Sequence, residues 1–314
     1  MEMNDVADAS DGQASNAKKQ DLMIKSALFL LNANARNSED SVNDVESALR
    51  ENGIEPESVR TSSVEAAIAT LRSRGAQFDI VIVGGGDGSL NSLLPDLLKL
   101  KKPLGIIPLG TANDFARSLA IPESPEEAAR IVSAGHLREV DVAVANGRPF
   151  LNVVNIGLGE KVARLHRGWT KRLLGVASYP LRWLAVWRKT RLLTVRAGLD
   201  GQTPEEFRAS QISVANSSSF GRHFQIDSAN SLQSGQLSVA RLDPRSLFSW
   251  MKLLPRLLKG EVADSPDATV SRARSVRIET RPQAVFSGDG EVMGRTPVEI
   301  TVQAKALQVF APRN

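Results

Sequence analysis

Apolar residues are spaced in two ways along this chain. Up to about Gly135, short unbroken apolar runs at Ala27–Asn32, Ile80–Val83 and Leu104–Ile107 read as strands, the latter two buried on both faces. Helical spacing marks Ser41–Glu51, Val64–Arg74, Leu90–Leu100, Asp114–Leu119 and Glu126–Ala134. Strand and helix in alternation predict an α/β unit. After Gly135 the texture changes. Val140–Val144, Pro149–Asn155, Leu192–Ala197, Ala209–Ala215, Gln236–Arg241, Ser275–Glu279 and Val298–Val302 often alternate apolar with polar, and polar turns separate them. That pattern predicts a mainly β second unit, interrupted by a basic helical segment. The boundaries expected are a polar tail over 1–21, a first unit over 22–145 and a second over 146–314, with the last strand free to return to the first unit.

The second apolar run leads into Gly84-Gly85-Gly86-Asp87-Gly88-Ser89-Leu90-Asn91 and then a helix. Strand, glycine loop and helix present backbone N–H groups to a phosphate, and glycines remove the Cβ atoms that would keep it away. Asp87 would repel a phosphate unless a divalent cation sits between them. Taken alone, the string is equally consistent with a glycine-rich turn that binds nothing. A second strand, Leu104–Ile107, runs into Pro108-Leu109-Gly110-Thr111-Ala112-Asn113-Asp114-Phe115-Ala116 and another helix. If the two strands are parallel neighbours, both polar turns share the carboxyl edge of the sheet, where open α/β sheets bind ligands. A third string, Phe286-Ser287-Gly288-Asp289-Gly290-Glu291, puts two carboxylates on one glycine-flanked turn and by itself reads as an Asp-Gly hairpin.

Together these strings resemble the catalytic domain of the diacylglycerol kinase and sphingosine kinase superfamily, in its bacterial lipid kinase branch. The resemblance runs from about Ala27 to the C-terminus. The glycine string is shared with NAD kinases; the Pro108–Ala116 string separates the lipid kinases from them. The resemblance implies a Rossmann-like N-terminal nucleotide domain, a C-terminal β-sandwich and an active site in the cleft between. It implies that Gly85, Gly86, Gly88 and Ser89 cradle ATP phosphates, with Asn32, Gly110, Thr111 and Asn113 completing the nucleotide site. Asp87, Asp114 and Asp141 would join a magnesium–water network, although an Asp entering a strand, as Asp141 does, often serves only as a turn or cap residue. Asp289 would be the base on the acceptor hydroxyl, with Glu291 and Asp87 beside it in the catalytic set. Ser89 stands where threonine is usual, and Asn32-Ala33-Asn34 replaces the frequent Asn-Pro. Ser234-Gly235-Gln236-Leu237 lacks the aspartate that in relatives helps to hold a structural magnesium, leaving Asp227 or Asp243 to substitute.

The chain has no cysteine and only three histidines, without metal-ligand spacing, which excludes disulfides and thiolate chemistry and disfavours zinc. Residues 1–21 lack the apolar core of a signal peptide, and no run has the length of a membrane span. A cytoplasmic protein is expected. Its net charge of +4 is concentrated: residues 161–193 carry nine basic and no acidic side chains, together with Trp169, Trp183, Trp187 and Tyr179. Residues 245–260 pair Trp250 with lysine and arginine in the same manner. Tryptophan beside cations suits the headgroup layer of a membrane, whereas neither segment fits a nucleic-acid module. The expected partners are therefore ATP, a lipid acceptor and a membrane surface contacted peripherally, with no nucleic acid; a homodimer is compatible with this. Two rival functions are an NAD kinase and a non-catalytic regulator that binds lipid or nucleotide.

Overall fold

The structure is a computed structural model and describes residues 24–32, 39–157, 192–217, 219–220, 224–227, 231–243, 249, 256, 259, 261–262 and 265–313. The first half runs β1 (Ser26–Asn32), α1 (Glu39–Glu51), β2 (Glu55–Thr61), α2 (Val64–Arg74), β3 (Ile80–Gly85), α3 (Asp87–Leu100), β4 (Leu104–Pro108), α4 (Asp114–Ser118) and α5 (Pro125–Ser133). Its strands pair in parallel in the order β2-β1-β3-β4. Every residue of β3 and of β4 is buried, as unbroken apolar runs require. Helices α1 and α5 pack on each other, as do α2 and α3. Right-handed crossovers set these two pairs on opposite faces of the sheet.

The second half follows as β5 (Leu137–Ala145), β6 (Arg148–Phe150), β7 (Val153–Gly157), β8 (Leu193–Leu199), β9 (Glu205–Ala209), β10 (Gln211–Ala215), β11 (Ser219–Phe220), β12 (Phe224–Gln225), β13 (Leu237–Leu242), β14 (Ala268–Ala273), β15 (Ser275–Arg281), β16 (Val285–Gly288), β17 (Glu291–Arg295) and β18 (Val298–Phe310). One sheet has the order β14-β13-β10-β7-β16-β17. It packs against strands β5, β6, β8, β15 and β18, and Val154, Ile156, Ile212, Val214, Val276, Ile278 and Ile300 fill the space between. This is a β-sandwich.

Strand β18 belongs to both halves. Its start pairs with β15, its length runs antiparallel to β5, and Val309 pairs in parallel with Leu104 of β4. Leu307, Val309, Phe310 and Ala311 are buried in the core of the α/β half. The α/β sheet and one sheet of the sandwich are thus a single ten-stranded sheet. Among the described residues no helix is long and apolar enough to cross a membrane. Nearly all of the two basic, tryptophan-bearing segments lies outside the described residues.

Candidate active site

Strand order 2-1-3-4 reverses direction between β1 and β3, and that switch point opens a crevice at the carboxyl ends of the strands. A cavity of about 150 Å³ occupies it, bounded by the ends of β1, β2 and β3 and the starts of α2 and α3. Asn32 and Ser89, both expected there, line this cavity, and Asn32 Nδ2 donates to Ser89 Oγ at 3.3 Å. Thr61, Ser62 and Ser63 line it as well and were missed in the sequence. They lie at and just past the end of β2, a polar edge strand with no apolar run to announce it. Had that strand been recognised, the hydroxyl cluster at its end would have pointed to the same edge.

The glycines of the two strings also serve close packing. A Cβ on Gly84 would lie 2.8 Å from Leu31, one on Gly85 2.6 Å from Ser89 Oγ, and one on Gly86 2.9 Å from the Cα of Gly110. A Cβ on Gly110 would in turn meet Gly86 Cα at 2.5 Å. These four glycines let protein pack on protein, and the last two let the polar turns touch backbone to backbone. Gly88 alone in the group faces open space, in the first turn of α3, where the helix N-terminus favours an anion.

Asp87 fastens the same two turns. Its Oδ2 accepts from the backbone N–H of Asp114 and its Oδ1 from that of Phe115, each at 3.0 Å, so it caps α4 from the neighbouring loop. Burial pushes its carboxyl above the usual range, against the pull of those N–H groups. Asn113, in the left-handed region, folds back on its own turn: Oδ1 accepts from Gly110 N at 3.0 Å and Nδ2 donates to Gly110 O at 3.2 Å. Arg117 draws the turn closed, donating to Asp114 Oδ1 at 3.2 Å and to Ala112 O at 2.5 Å. Thr111 is exposed at the tip.

Asp141 is placed elsewhere. Its carboxylate accepts from Gly235 N at 2.6 Å and from Lys305 N at 2.8 Å, tying β5 to the loop before β13 and to the irregular stretch of β18. Both oxygens serve the fold, the cap-like role that an aspartate entering a strand often has. Among the described residues no three His, Asp or Glu side chains are grouped to hold a metal ion, so Asp87, Asp114 and Asp141 do not form a ligand trio. Nor is the carboxylate missing at Ser234 replaced. Asp227 is bound by both arms of Arg272, at 2.6 and 2.9 Å, and Asp243 lies past the far end of β13 from Ser234, about 20 Å along the strand.

Asp289 and Gly290 form the two-residue turn between β16 and β17, both with positive φ (46° and 83°), the twist that a tight hairpin needs. Asp289 is half-buried, and its carboxylate caps the turn between β6 and β7. Leu151 N donates to Oδ2 at 2.8 Å, Val153 N to Oδ1 at 2.8 Å, and Asn152 N is shared between both oxygens at 3.1 and 3.2 Å. Burial pushes this carboxyl up to about 6, against those N–H groups and the side chain of Asn91. Asn91 belongs to α3, the helix that opens at the glycine loop, and α3 packs against β6. The acidic turn and the glycine loop are thereby brought together across the junction of the two halves. Glu291 is exposed at the start of β17.

Comparison with known proteins finds two family matches that divide the chain. Residues 26–145 match the diacylglycerol kinase catalytic domain, and residues 152–311 match the YegS C-terminal NAD kinase beta sandwich-like domain. A diacylglycerol kinase of Bacillus subtilis is 27% identical over 257 residues, which is 81% of this chain and 84% of that protein. An uncharacterized protein of Synechocystis is 27% identical over 249 residues, 78% of this chain but only 57% of its own length. The crystal structure of a diacylglycerol kinase from Bacillus anthracis superposes with a TM-score of 0.75 at 23% identity, covering 92% of this chain and 98% of the other; this likeness is one of fold.

Proposed function

The chain belongs to the diacylglycerol kinase catalytic-domain family, with its YegS-type C-terminal domain, and on that premise we propose that it is an ATP-dependent lipid kinase. The transfer would run from the γ-phosphate of ATP to a hydroxyl of a membrane lipid. The observation that carries this reading is the junction itself: the helix that opens at the glycine loop packs on β6, and the turn that follows β6 is held by the half-buried Asp289 carboxylate. Diacylglycerol kinase activity in the Bacillus subtilis relative supports the same reaction class.

The base of the nucleotide would enter the cavity beside Thr61, Ser62 and Ser63, and its phosphates would meet the first turn of α3 at Gly88 and Ser89. Asp289 would take the proton as the acceptor oxygen bonds to the γ-phosphorus and the bond to the β-phosphate oxygen breaks, releasing ADP. Its raised pKa suits that task, since a base works best with a pKa near the working pH. The donor set fits magnesium of a modest kind. That ion keeps water and phosphate oxygens and asks for one or two carboxylates, and Asp87 has two of about four acceptor positions filled by α4. When bound, it would offset charge on the phosphates. A second, structural magnesium has no carboxylate at Ser234 to hold it and is not part of the proposal.

The test is transfer of γ-labelled phosphate in detergent micelles of a cellular lipid extract, with NAD in a parallel reaction. Label in the organic phase supports the proposal, and the mobility of the product identifies the acceptor class. Label in NADP alone would reassign the protein to NAD phosphorylation; ATP bound without transfer to either would make it a binding protein. Segments 161–193 and 245–260 would dock the cleft on the bilayer. Arg182→Glu with Arg188→Glu should then weaken co-sedimentation with anionic vesicles by about thirtyfold or more, at about 1 kcal/mol per basic residue near the surface. Unchanged sedimentation would remove the membrane role of that segment.

A further inference from the structure

Strand β10 ends at Ala215, and the next residue, Asn216, is completely buried beside the turn that joins β6 to β7. Its Nδ2 donates to two carbonyl oxygens, Leu151 O of that turn at 3.0 Å and Asp141 O of β5 at 2.9 Å. Its backbone N–H donates to Asn152 O at 2.8 Å. Its Oδ1 is buried and meets no hydrogen-bond partner among the described residues. An amide oxygen buried without a partner is rare and costs stability, so this side chain is retained for its two donors. A serine could serve one of the two carbonyls, and a leucine neither.

The carbonyls that Asn216 holds in the turn belong to the same peptide units that grip Asp289. A trans peptide is planar, with its C=O and N–H pointing in opposite directions. In the unit joining Leu151 to Asn152, the C=O accepts from the Asn216 side chain, and the N–H donates to both Asp289 oxygens at 3.1 and 3.2 Å. In the next unit, the Asn152 C=O accepts from the Asn216 backbone, and the Val153 N–H donates to Asp289 Oδ1 at 2.8 Å. Turning either plane away from Asp289 would break a hydrogen bond to Asn216 on its other side. Hydrogen bonds in series also polarise one another, so the same contacts strengthen the two N–H groups as donors. The Asp141 contact extends this brace to β5 through a backbone carbonyl, the Asp141 carboxylate being held by Gly235 N and Lys305 N.

We propose that Asn216 is a positioning residue for the Asp289 carboxylate, holding from behind the two peptide planes whose N–H groups aim at it. Its bearing on phosphoryl transfer rests on the reading of Asp289 as the base. The groups that face this carboxylate from the turn are the N–H groups of Leu151, Asn152 and Val153. Of the charged side chains on neighbouring elements, Glu291 is exposed on β17, Arg148 of β6 donates to carbonyls of β17, and Asp87 of α3 caps α4.

Asn216→Leu keeps the approximate size and removes both side-chain donors. The direct readout is the 1H–15N resonances of Leu151, Asn152 and Val153 across pH, because these N–H groups report the ionisation of the carboxylate they hold. In the parent protein the three should share one midpoint, which Asp289→Asn abolishes. In Asn216→Leu that midpoint should rise by about one pH unit, as expected when hydrogen bonding to a charged group weakens. In the transfer assay the acid limb of kcat/KM should move by the same amount, with the KM for ATP unchanged. Asn216→Ser, which retains one donor, should recover part of both shifts. An unmoved midpoint, whether or not the melting temperature falls, makes Asn216 a tie of the fold alone and overturns the proposal. A midpoint that moves while the acid limb stays, or in a protein that transfers no phosphate, upholds the brace on Asp289 and removes the reading of Asp289 as the base instead. Should Asn216→Leu fail to fold, Asn216→Ser carries the same titration with a smaller rise.

Discussion

At the scale of single residues, the protonation of Asp289 links stability to chemistry. Its pKa is raised to about 6, so between about pH 4 and pH 6 the folded protein holds a proton that the unfolded chain has released. Stability contributed by this group is therefore full below pH 4 and declines as pH rises through 6, by an amount on the order of 3 kcal/mol. Activity should run the other way, because a base must be ionised: kcat/KM should fall below about pH 6. Chemical denaturation at pH 4.5 and 7.5 beside a pH–rate profile checks both, and a rate that stays flat down to pH 5 would remove Asp289 as the base. Asp289→Asn should lower kcat by about 10²–10⁴-fold with ATP binding retained. The sequence marks the turn through Asp-Gly and its flanking strands, but not what the carboxylate grips. Its partners at Leu151, Asn152 and Val153 are far away along the chain, and only the pairing of β16 with β7 brings them together.

Among elements, the two polar turns and the helices they start behave as one unit, and its glycines separate into two kinds with opposite predicted effects. Gly110→Ala drives a methyl against Gly86 Cα at 2.5 Å, backbone that cannot yield, and against Asn113 Oδ1 at 2.7 Å, which is itself tied to the Gly110 backbone. It should destabilise the protein by about 1–3 kcal/mol, read as a lower melting temperature. Gly88→Ala points into open space within a helix, where alanine is favoured by up to about 1 kcal/mol. It should leave the melting temperature unchanged or higher, and weaken ATP binding by isothermal titration, because the methyl stands where phosphate would approach. Undiminished binding in Gly88→Ala would mean that the phosphates do not sit there. The elements flanking these turns were legible because β3 and β4 are apolar throughout and each runs into glycine and a helical pattern. Strand β2 was not, since Glu55, Glu57 and Arg60 leave it polar: among the described residues it lies at the sheet edge and pairs only with β1. The segments Pro149–Asn155 and Ala209–Ala215, each expected as one strand, are interrupted by turns at 151–152 and at Ser210. The first of these turns supplies the N–H groups for Asp289, so the break in the strand is part of the site.

For the whole molecule, β18 decides whether the two halves are separate domains. The last nine residues of the chain follow all of the sandwich in sequence, yet Val309, Phe310 and Ala311 are fully buried in the α/β core, and Val309 pairs with β4. The sequence hinted at this return only through the apolar residues at the end of the chain; its expected strand stopped at Val302, because Gln303, Ala304 and Lys305 break the alternation at the point where the strand bends and Lys305 takes a positive φ. If the return is structural and not incidental, the α/β half lacks a core strand until the sandwich is complete, and the two should unfold together. Urea unfolding followed by circular dichroism and by hydrogen exchange in β3 and in β10 should give one coincident transition. Deleting residues 306–314 should then cost the α/β half its fold even though no residue of β1 to β4 is changed. Loss of a single buried aromatic side chain such as Phe310 is already about 3–5 kcal/mol, comparable with the whole stability of many domains. Two separated transitions in the full chain, or a truncated chain whose β3 amides remain protected, would show that the halves stand alone, and the packing of α3 on β6 would then be free to open on its own.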